Sequence, residues 1–83
     1  MNGTLADTIG IAGSAVMIVA YAYSNLTKRL DLLLFNILNL AGAALLIVSL
    51  SVHFNLASML LEVVWAAIAL LGLVKAARAR RAA

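Results

Sequence analysis

Three apolar runs, joined by short polar segments, make up nearly the whole chain. They cover about residues 5–23, 31–52 and 56–74, and each is close to the roughly 20 residues that an α-helix needs to cross a bilayer. The segments between them are too short to form a soluble domain. The pattern therefore predicts an all-α integral membrane protein, a three-helix bundle in which residues 1–83 form one domain with a basic cytoplasmic tail at 75–83.

Polar residues beside the runs predict where the helices begin. Thr4 and Asp7 match a capping box with Asp in place of Glu, so we expect the first helix to start near Leu5. Asp31 and Asn55 are suited to cap the second and third helices. The basic tail should continue the third helix out of the membrane, where its cations suit the negative end of the helix dipole.

The third run is unusual because it contains a carboxylate, Glu62. An acid at the centre of a spanning helix costs roughly 2.5 to 3.5 kcal/mol on insertion scales. Such acids usually face a bundle interior or a wet cavity. At about 100° per residue, Glu62 shares one side of the helix with Trp65 and several small residues, whereas the opposite side is aliphatic. We expect the first side to face protein and the second to face lipid.

The first two helices also have a side with small or polar residues. Gly10 and Ser14 form a small-xxx-small pair of the kind that lets membrane helices approach closely. Asn36 and Asn39 are neighbours on the second helix, and their amides must find partners because lipid offers none. Both asparagines could join helices by hydrogen bonds, and Tyr21 could anchor the end of its span at the interface.

The same residues could instead line a pathway for a solute or a proton. We expect Glu62 to be protonated, or hydrogen-bonded to Asn39, in the resting state. It would then be either a coupling residue in a proton-linked carrier or a permanently neutral acid that holds helices together. The candidate pathway consists of six residues: Ser14, Tyr21, Asn36, Asn39, Glu62 and Trp65.

Composition narrows the function classes. Hydrophobic residues make up 66% of the chain and charged residues 11%, and the mean hydropathy is +1.14. The chain has no cysteine, a single histidine that we place on a surface loop, and no paired acids. Neither a nucleophile relay nor metal-ligand spacing can be built from this set. We therefore expect no enzyme activity, no cofactor and no metal.

The basic residues indicate an orientation. All six lie in two groups, one in the first loop at Lys28 and Arg29 and the other in the C-terminal tail. The positive-inside rule places both groups in the cytoplasm, with the N-terminus outside. The pI near 10 is thus explained by topology and attraction to the lipid bilayer, and we expect no nucleic-acid partner.

Two stretches resemble a known family. Asn39-Leu40-Ala41-Gly42-Ala43 and Leu61-Glu62-Val63-Val64-Trp65, within a likeness over about residues 8–73, resemble small uncharacterised bacterial inner-membrane proteins that are often labelled permease-like. The resemblance implies a multi-pass protein of the bacterial inner membrane. It implies no particular activity.

The chain is more weakly similar to the SemiSWEET and PQ-loop half-transporters, three-span chains that dimerise around a central pathway. The shared features are an Ile-Gly segment, a first span with small residues, and Glu62 near the place of a substrate-contacting Asn. The chain has no proline, so the Pro-Gln hinge is missing and Tyr23-Ser24-Asn25 lies near its place. This resemblance implies only the architecture, a homodimer of six spans.

Two functions follow as expectations. The first is a half-transporter that moves a small solute as a homo-oligomer, with possible proton linkage through Glu62. The second is a structural or accessory subunit that docks on a larger membrane-protein partner through the same polar side.

Overall fold

The computed structural model describes residues 1–82, which form three α-helices. They are α1 (Gly3–Leu26), α2 (Leu32–Leu50) and α3 (Leu56–Ala82). At 1.5 Å per residue they are about 36, 28 and 40 Å long, and each is long and apolar enough to cross a membrane. The prediction of an all-α protein with three membrane-capable helices is confirmed. The last residue of the predicted tail, Ala83, lies outside the described residues.

The helix α2 lies between the other two. It packs against both α1 and α3, whereas over residues 1–82 α1 and α3 do not pack against each other. Consecutive helices run antiparallel in a molecule that measures 45 × 23 × 20 Å. The bundle is therefore not closed, and one side of α2 remains open between its neighbours.

The contact between α1 and α2 is made by small residues. Ala6, Gly13 and Ala20, spaced seven residues apart, are the buried positions of α1. A seven-residue spacing is typical of helices that pack along one continuous seam. Gly13 faces Gly42, and a Cβ added to Gly13 would lie 3.0 Å from the Gly42 carbonyl oxygen. The helices approach this closely because neither residue has a side chain.

A hydrogen bond supplements this packing near the N-terminus of α1. The Ser49 hydroxyl donates to the carbonyl oxygen of Ala6 at 2.7 Å, and Gly10 lies against the same serine. Ser14, in contrast, is exposed. Of the predicted packing pair, Gly10 packs closely against α2 but Ser14 does not, because the seven-residue seam directs Gly13 rather than Ser14 toward α2.

The caps at the starts of the helices are those predicted from the sequence, with one exception. Asn2 caps α1, and its Oδ1 accepts the Leu5 N–H at 2.7 Å. The predicted capping box at Thr4 is wrong, because Asn2 is an equally suitable cap and starts the helix earlier. Asp31 accepts two backbone N–H groups at the start of α2, and Asn55 accepts the Ser58 N–H at 3.0 Å. These two predicted caps are confirmed.

The other helix ends differ little from the prediction. The helix α2 ends at Leu50, before the predicted residue 52, while α3 continues through the basic tail without interruption. The tail therefore extends the helix as expected.

Two polar contacts join segments that are distant in sequence. Arg80 donates to Asp31 Oδ2 at 2.7 Å, which links the C-terminal end of α3 to the start of α2. At the other end of the molecule, His53 Nε2 lies 3.0 Å from Asp7 Oδ1. His53 is exposed on the second loop, as predicted. Each contact ties one end of a helix to its neighbour.

The charge of Asp31 is stabilised locally. The backbone N–H of Leu34 lowers the pKa of Asp31, and the Arg80 guanidinium lowers it further. The backbone N–H of Asp31 in turn donates to the Tyr23 hydroxyl at 2.9 Å. The first loop is therefore held against both α1 and α3.

The two sides of α3 are those predicted. Glu62, Ala66 and Gly72 are partly covered and Ala69 is buried. The opposite side is exposed at its aliphatic positions: Leu60, Val63, Val64, Leu71 and Val74. This exposed side is the one that the sequence predicts to face lipid.

Candidate functional site

An open groove runs over α2 between α1 and α3. It has a volume of about 520 Å³, which is within the range of roughly 300 to 1,000 Å³ typical of small-molecule sites. The groove exists because α1 and α3 do not contact each other. Its walls carry aromatic, aliphatic and a few uncharged polar side chains, namely Met17, Ile18, Tyr21, Ser24, Phe35, Asn39 and Trp65.

A hydrogen-bonded pair lies in this groove. The Trp65 indole N–H donates to Asn39 Oδ1 at 3.0 Å, and the Asn39 amide nitrogen donates to the Phe35 carbonyl oxygen at 2.9 Å. Asn39 is only 6% exposed. The pair orients the indole and joins α2 to α3, so the prediction that Asn39 joins helices by a hydrogen bond is confirmed.

Of the two states expected for Glu62, the hydrogen bond to Asn39 is not formed in the structure. The oxygen of Asn39 is used by Trp65 and its nitrogen by Phe35. Glu62 lies three residues before Trp65 on α3 but does not line the groove. Among residues 1–82, its enclosed Oε2 atom has no hydrogen-bond partner. A buried polar atom without a partner is rare in native proteins and needs an explanation.

Asn36 does not line the groove but lies beside a second cavity between α2 and α3. Its amide donates to the Leu32 carbonyl oxygen in its own helix at 2.8 Å, so it does not join helices by a hydrogen bond as expected. It packs instead against Gly72, where an added Cβ would lie 2.5 Å from Asn36 Oδ1. A second cavity of about 310 Å³ lies here and is lined by Leu32, Asn36, Gly72, Lys75, Ala76 and Ala79.

The six candidate residues thus divide into two sets. Tyr21, Asn39 and Trp65 line the groove, and Tyr21 is 73% exposed. Ser14, Asn36 and Glu62 do not line it.

The structure adds Met17, Ile18, Ser24 and Phe35 to the site. Sequence could have indicated most of them. Met17, Tyr21 and Ser24 follow helical spacing on α1, and Phe35 precedes Asn39 by one turn on α2.

Residues that could hold a metal are not gathered anywhere in the described chain. Across residues 1–82, no group of three His, Cys, Asp or Glu side chains lies close enough together to coordinate an ion.

Fold and groove together define a three-helix membrane protein with an uncharged, aromatic-rich groove open along one side. A family model matches residues 6–81, and the chain belongs to this uncharacterised family. Comparison with curated proteins and with solved structures gives no significant match. The weaker likeness to half-transporters gains no support from these comparisons.

Proposed function

We propose that the protein is a half-transporter of the bacterial inner membrane, in which two copies form a six-helix homodimer around a pathway for a small solute. The observation that carries this proposal is the groove over α2, which a single protomer leaves open. A second copy placed groove to groove would close it. Secondary transporters bind their solutes at such interfaces between repeated units, near the bilayer midplane.

The proposed orientation follows from the basic residues. With Lys28, Arg29 and the tail in the cytoplasm, the N-terminus and His53 lie outside. A reporter fused after Ala83 should then behave as cytoplasmic, and one inserted near His53 should behave as external. Finding both on one side would contradict the three-span topology.

Glu62 is the proposed proton-coupling residue. Its Oε2 atom lacks a partner, and none of the three helices carries a cation between Asp7 and Lys28, between Asp31 and His53, or between Asn55 and Lys75. The other titratable side chains in these stretches are Tyr21 and Tyr23. Glu62 would be protonated at rest and would exchange its proton when solute and water enter the groove.

Two measurements on the parent and on Glu62→Gln test this function. Gln keeps the shape of the side chain but cannot titrate. Native mass spectrometry should find dimers of both proteins. Difference infrared spectroscopy should find a titrating carboxyl in the parent between about pH 4 and 9, a range that brackets ordinary and strongly raised Glu values, and proton flux in liposomes should depend on the same carboxyl.

Asp7→Asn is the matched control, because Asp7 is exposed at the end of α1 and should not contribute to the flux. A protein that stays monomeric at all concentrations contradicts the dimer. Proton coupling is contradicted if the parent shows no carboxyl titration. It is also contradicted if the titration of the parent remains in Glu62→Gln.

The accessory-subunit function makes the opposite prediction. The same open groove could receive a helix of a larger membrane protein. In that case the larger protein would co-purify in fixed stoichiometry, and the isolated chain would not form a stable dimer.

A further inference from the structure

The groove has the surface chemistry of a site for a cation. Trp65, Phe35 and Tyr21 provide three aromatic rings, and Met17 adds a polarisable thioether. The face of an aromatic ring attracts cations, and that of Trp does so most strongly. The indole of Trp65 is oriented by Asn39, and the residue remains 42% exposed. Part of a well-oriented ring is therefore available to a ligand.

The ionisable side chain nearest to Trp65 along α3 is an acid. Glu62 precedes Trp65 by one helical turn, and residues at this spacing have Cβ atoms about 5 to 6 Å apart. Its Oε2 atom has no hydrogen-bond partner among residues 1–82, and no basic side chain lines the groove. Glu62 does not itself line the groove, but it lies one turn from the indole on α3, and no salt bridge within residues 1–82 gives it a counter-charge.

Other solute classes fit this groove less well. A sugar requires several hydrogen-bond partners, but among the described residues the groove is lined by only three polar side chains, and two of them, Asn39 and Ser24, already make hydrogen bonds within the protein. An anion would meet aromatic faces and no basic side chain in the lining described within residues 1–82. A small inorganic cation requires oxygen ligands, whereas most of the lining is carbon. A cation with apolar substituents matches both the walls and the charge.

We propose that the groove binds a lipophilic organic cation, with the rings of Trp65, Phe35 and Tyr21 around its apolar groups and the Glu62 carboxylate as its counter-charge. This inference rests on the proposed half-transporter and names its class of substrate. On binding, Glu62 releases its proton to the water that enters with the solute, so that the site exchanges one positive charge for another.

A pair of probes with nearly the same shape and opposite charge tests the proposal. Tetraphenylphosphonium is the cation and tetraphenylborate the anion. Each is titrated into the protein in nanodiscs of zwitterionic lipid, and partitioning into empty nanodiscs is subtracted. Trp65 is the single tryptophan of the chain, so its fluorescence reports on the groove. The cation should bind saturably, and the anion should not.

Variants then assign the binding to the named residues. Glu62→Gln should weaken binding of the cation by about tenfold or more, since it removes the counter-charge. Tyr21→Leu, at the exposed mouth of the groove, should weaken it by several-fold without disturbing the buried pair. Asp7→Asn, an acidic residue outside the groove, should bind like the parent. Radiolabelled tetraphenylphosphonium provides the affinity independently of fluorescence.

The outcomes separate this inference from the proposed function. Equal saturable binding of both probes, or unchanged cation binding in Glu62→Gln, overturns the cation site. If the protein is a dimer with a titrating Glu62 but does not bind the cation, the substrate class is wrong and the half-transporter stands. Saturable, Glu62-dependent binding to a protein that is only monomeric would support the cation site and contradict the half-transporter.

Discussion

The contacts that α2 makes on its two sides differ in kind. Toward α1 it presents Gly42 and aliphatic side chains, with one hydrogen bond from Ser49, and the backbones approach closely at Gly13 and Gly42. Toward α3 it presents amides, which contact Trp65 and Gly72, and a carboxylate at its N-cap that pairs with Arg80. The groove is lined by all three helices and the second cavity by α2 and α3, whereas the seam between α1 and α2 is tightly packed where the glycines meet.

This difference indicates a division of roles. Close packing of small residues is a main source of helix association in lipid, where hydrophobic burial contributes little. The α1–α2 contact should therefore hold the protomer together. Hydrogen bonds between membrane helices contribute less, about 0.6 kcal/mol on average, so the α2–α3 contact should tolerate change more readily. Such a contact suits a site that must open to water and solute.

The largest effect is expected from a side chain placed in the seam. A Cβ on Gly13 would lie 2.9 Å from Leu45 Cβ and 3.0 Å from a backbone oxygen. Gly13→Leu should therefore destabilise the protomer by about 3 kcal/mol or more, the upper range for overpacking. Loss of helical circular dichroism on titration with a denaturing detergent measures this.

Ser14→Leu is the matched control, because the neighbouring Ser14 is exposed. It should change stability little. Equal effects of the two substitutions would show that the seam does not dominate the stability of the protomer. The buried position of Gly13 also means that Gly13→Leu probes the fold of one copy and does not report on a dimer contact.

A smaller effect is expected from the hydrogen bond between α2 and α3. Trp65→Phe keeps an aromatic ring but removes the N–H that Asn39 accepts at 3.0 Å. The variant should be less stable by about 1 kcal/mol, the order of magnitude for one hydrogen bond between membrane helices. A double-mutant cycle with Asn39→Leu isolates the bond. Additive losses in this cycle would mean that the two side chains are not coupled.

The smallest effect is expected from the exposed ion pair of Arg80 and Asp31. The folded-state pKa of Asp31 is lowered, first by the Leu34 N–H and in part by Arg80, so its carboxylate stabilises the fold. This contribution is fully present above the ordinary carboxyl pKa. It is lost as the pH falls through the lowered value.

Arg80→Ala should therefore reduce thermal stability slightly at neutral pH and have almost no effect in strong acid. Arg81→Ala serves as the control, since the structure assigns no ion pair to this neighbouring exposed arginine within residues 1–82. An Arg80→Ala effect that is the same at both pH values would exclude the ion pair as its cause.

Much of the fold could be predicted from local pattern. The length of the apolar runs predicted three helices. The aspartate before α2 and the asparagine before α3 predicted the caps of these helices, because capping depends on nearby residues. The two sides of α3 followed from helical periodicity. The first cap was missed because two suitable residues, Asn2 and Thr4, lie close together.

The site depended on tertiary arrangement and was predicted only in part. Periodicity places Asn36, Asn39 and Glu62 on polar sides but does not show which helix each side contacts. Asn39 accepts a hydrogen bond from Trp65 of α3, whereas Asn36 packs against Gly72 of α3 and donates only within its own helix. The groove itself follows from the absence of contact between α1 and α3, which no local pattern indicates, although helical spacing places Met17 beside Tyr21 and Phe35 beside Asn39.

The central claim, that two copies meet groove to groove, can be tested most directly by disulfide cross-linking. The chain contains no cysteine, so an introduced cysteine is its only thiol. Ile18 lines the groove and Leu71 lies on the lipid-facing side of α3, and both are 68% exposed. Under mild oxidation in native membranes, Ile18→Cys should give a covalent dimer and Leu71→Cys should remain monomeric. A dimer through Leu71→Cys but not through Ile18→Cys would contradict the account.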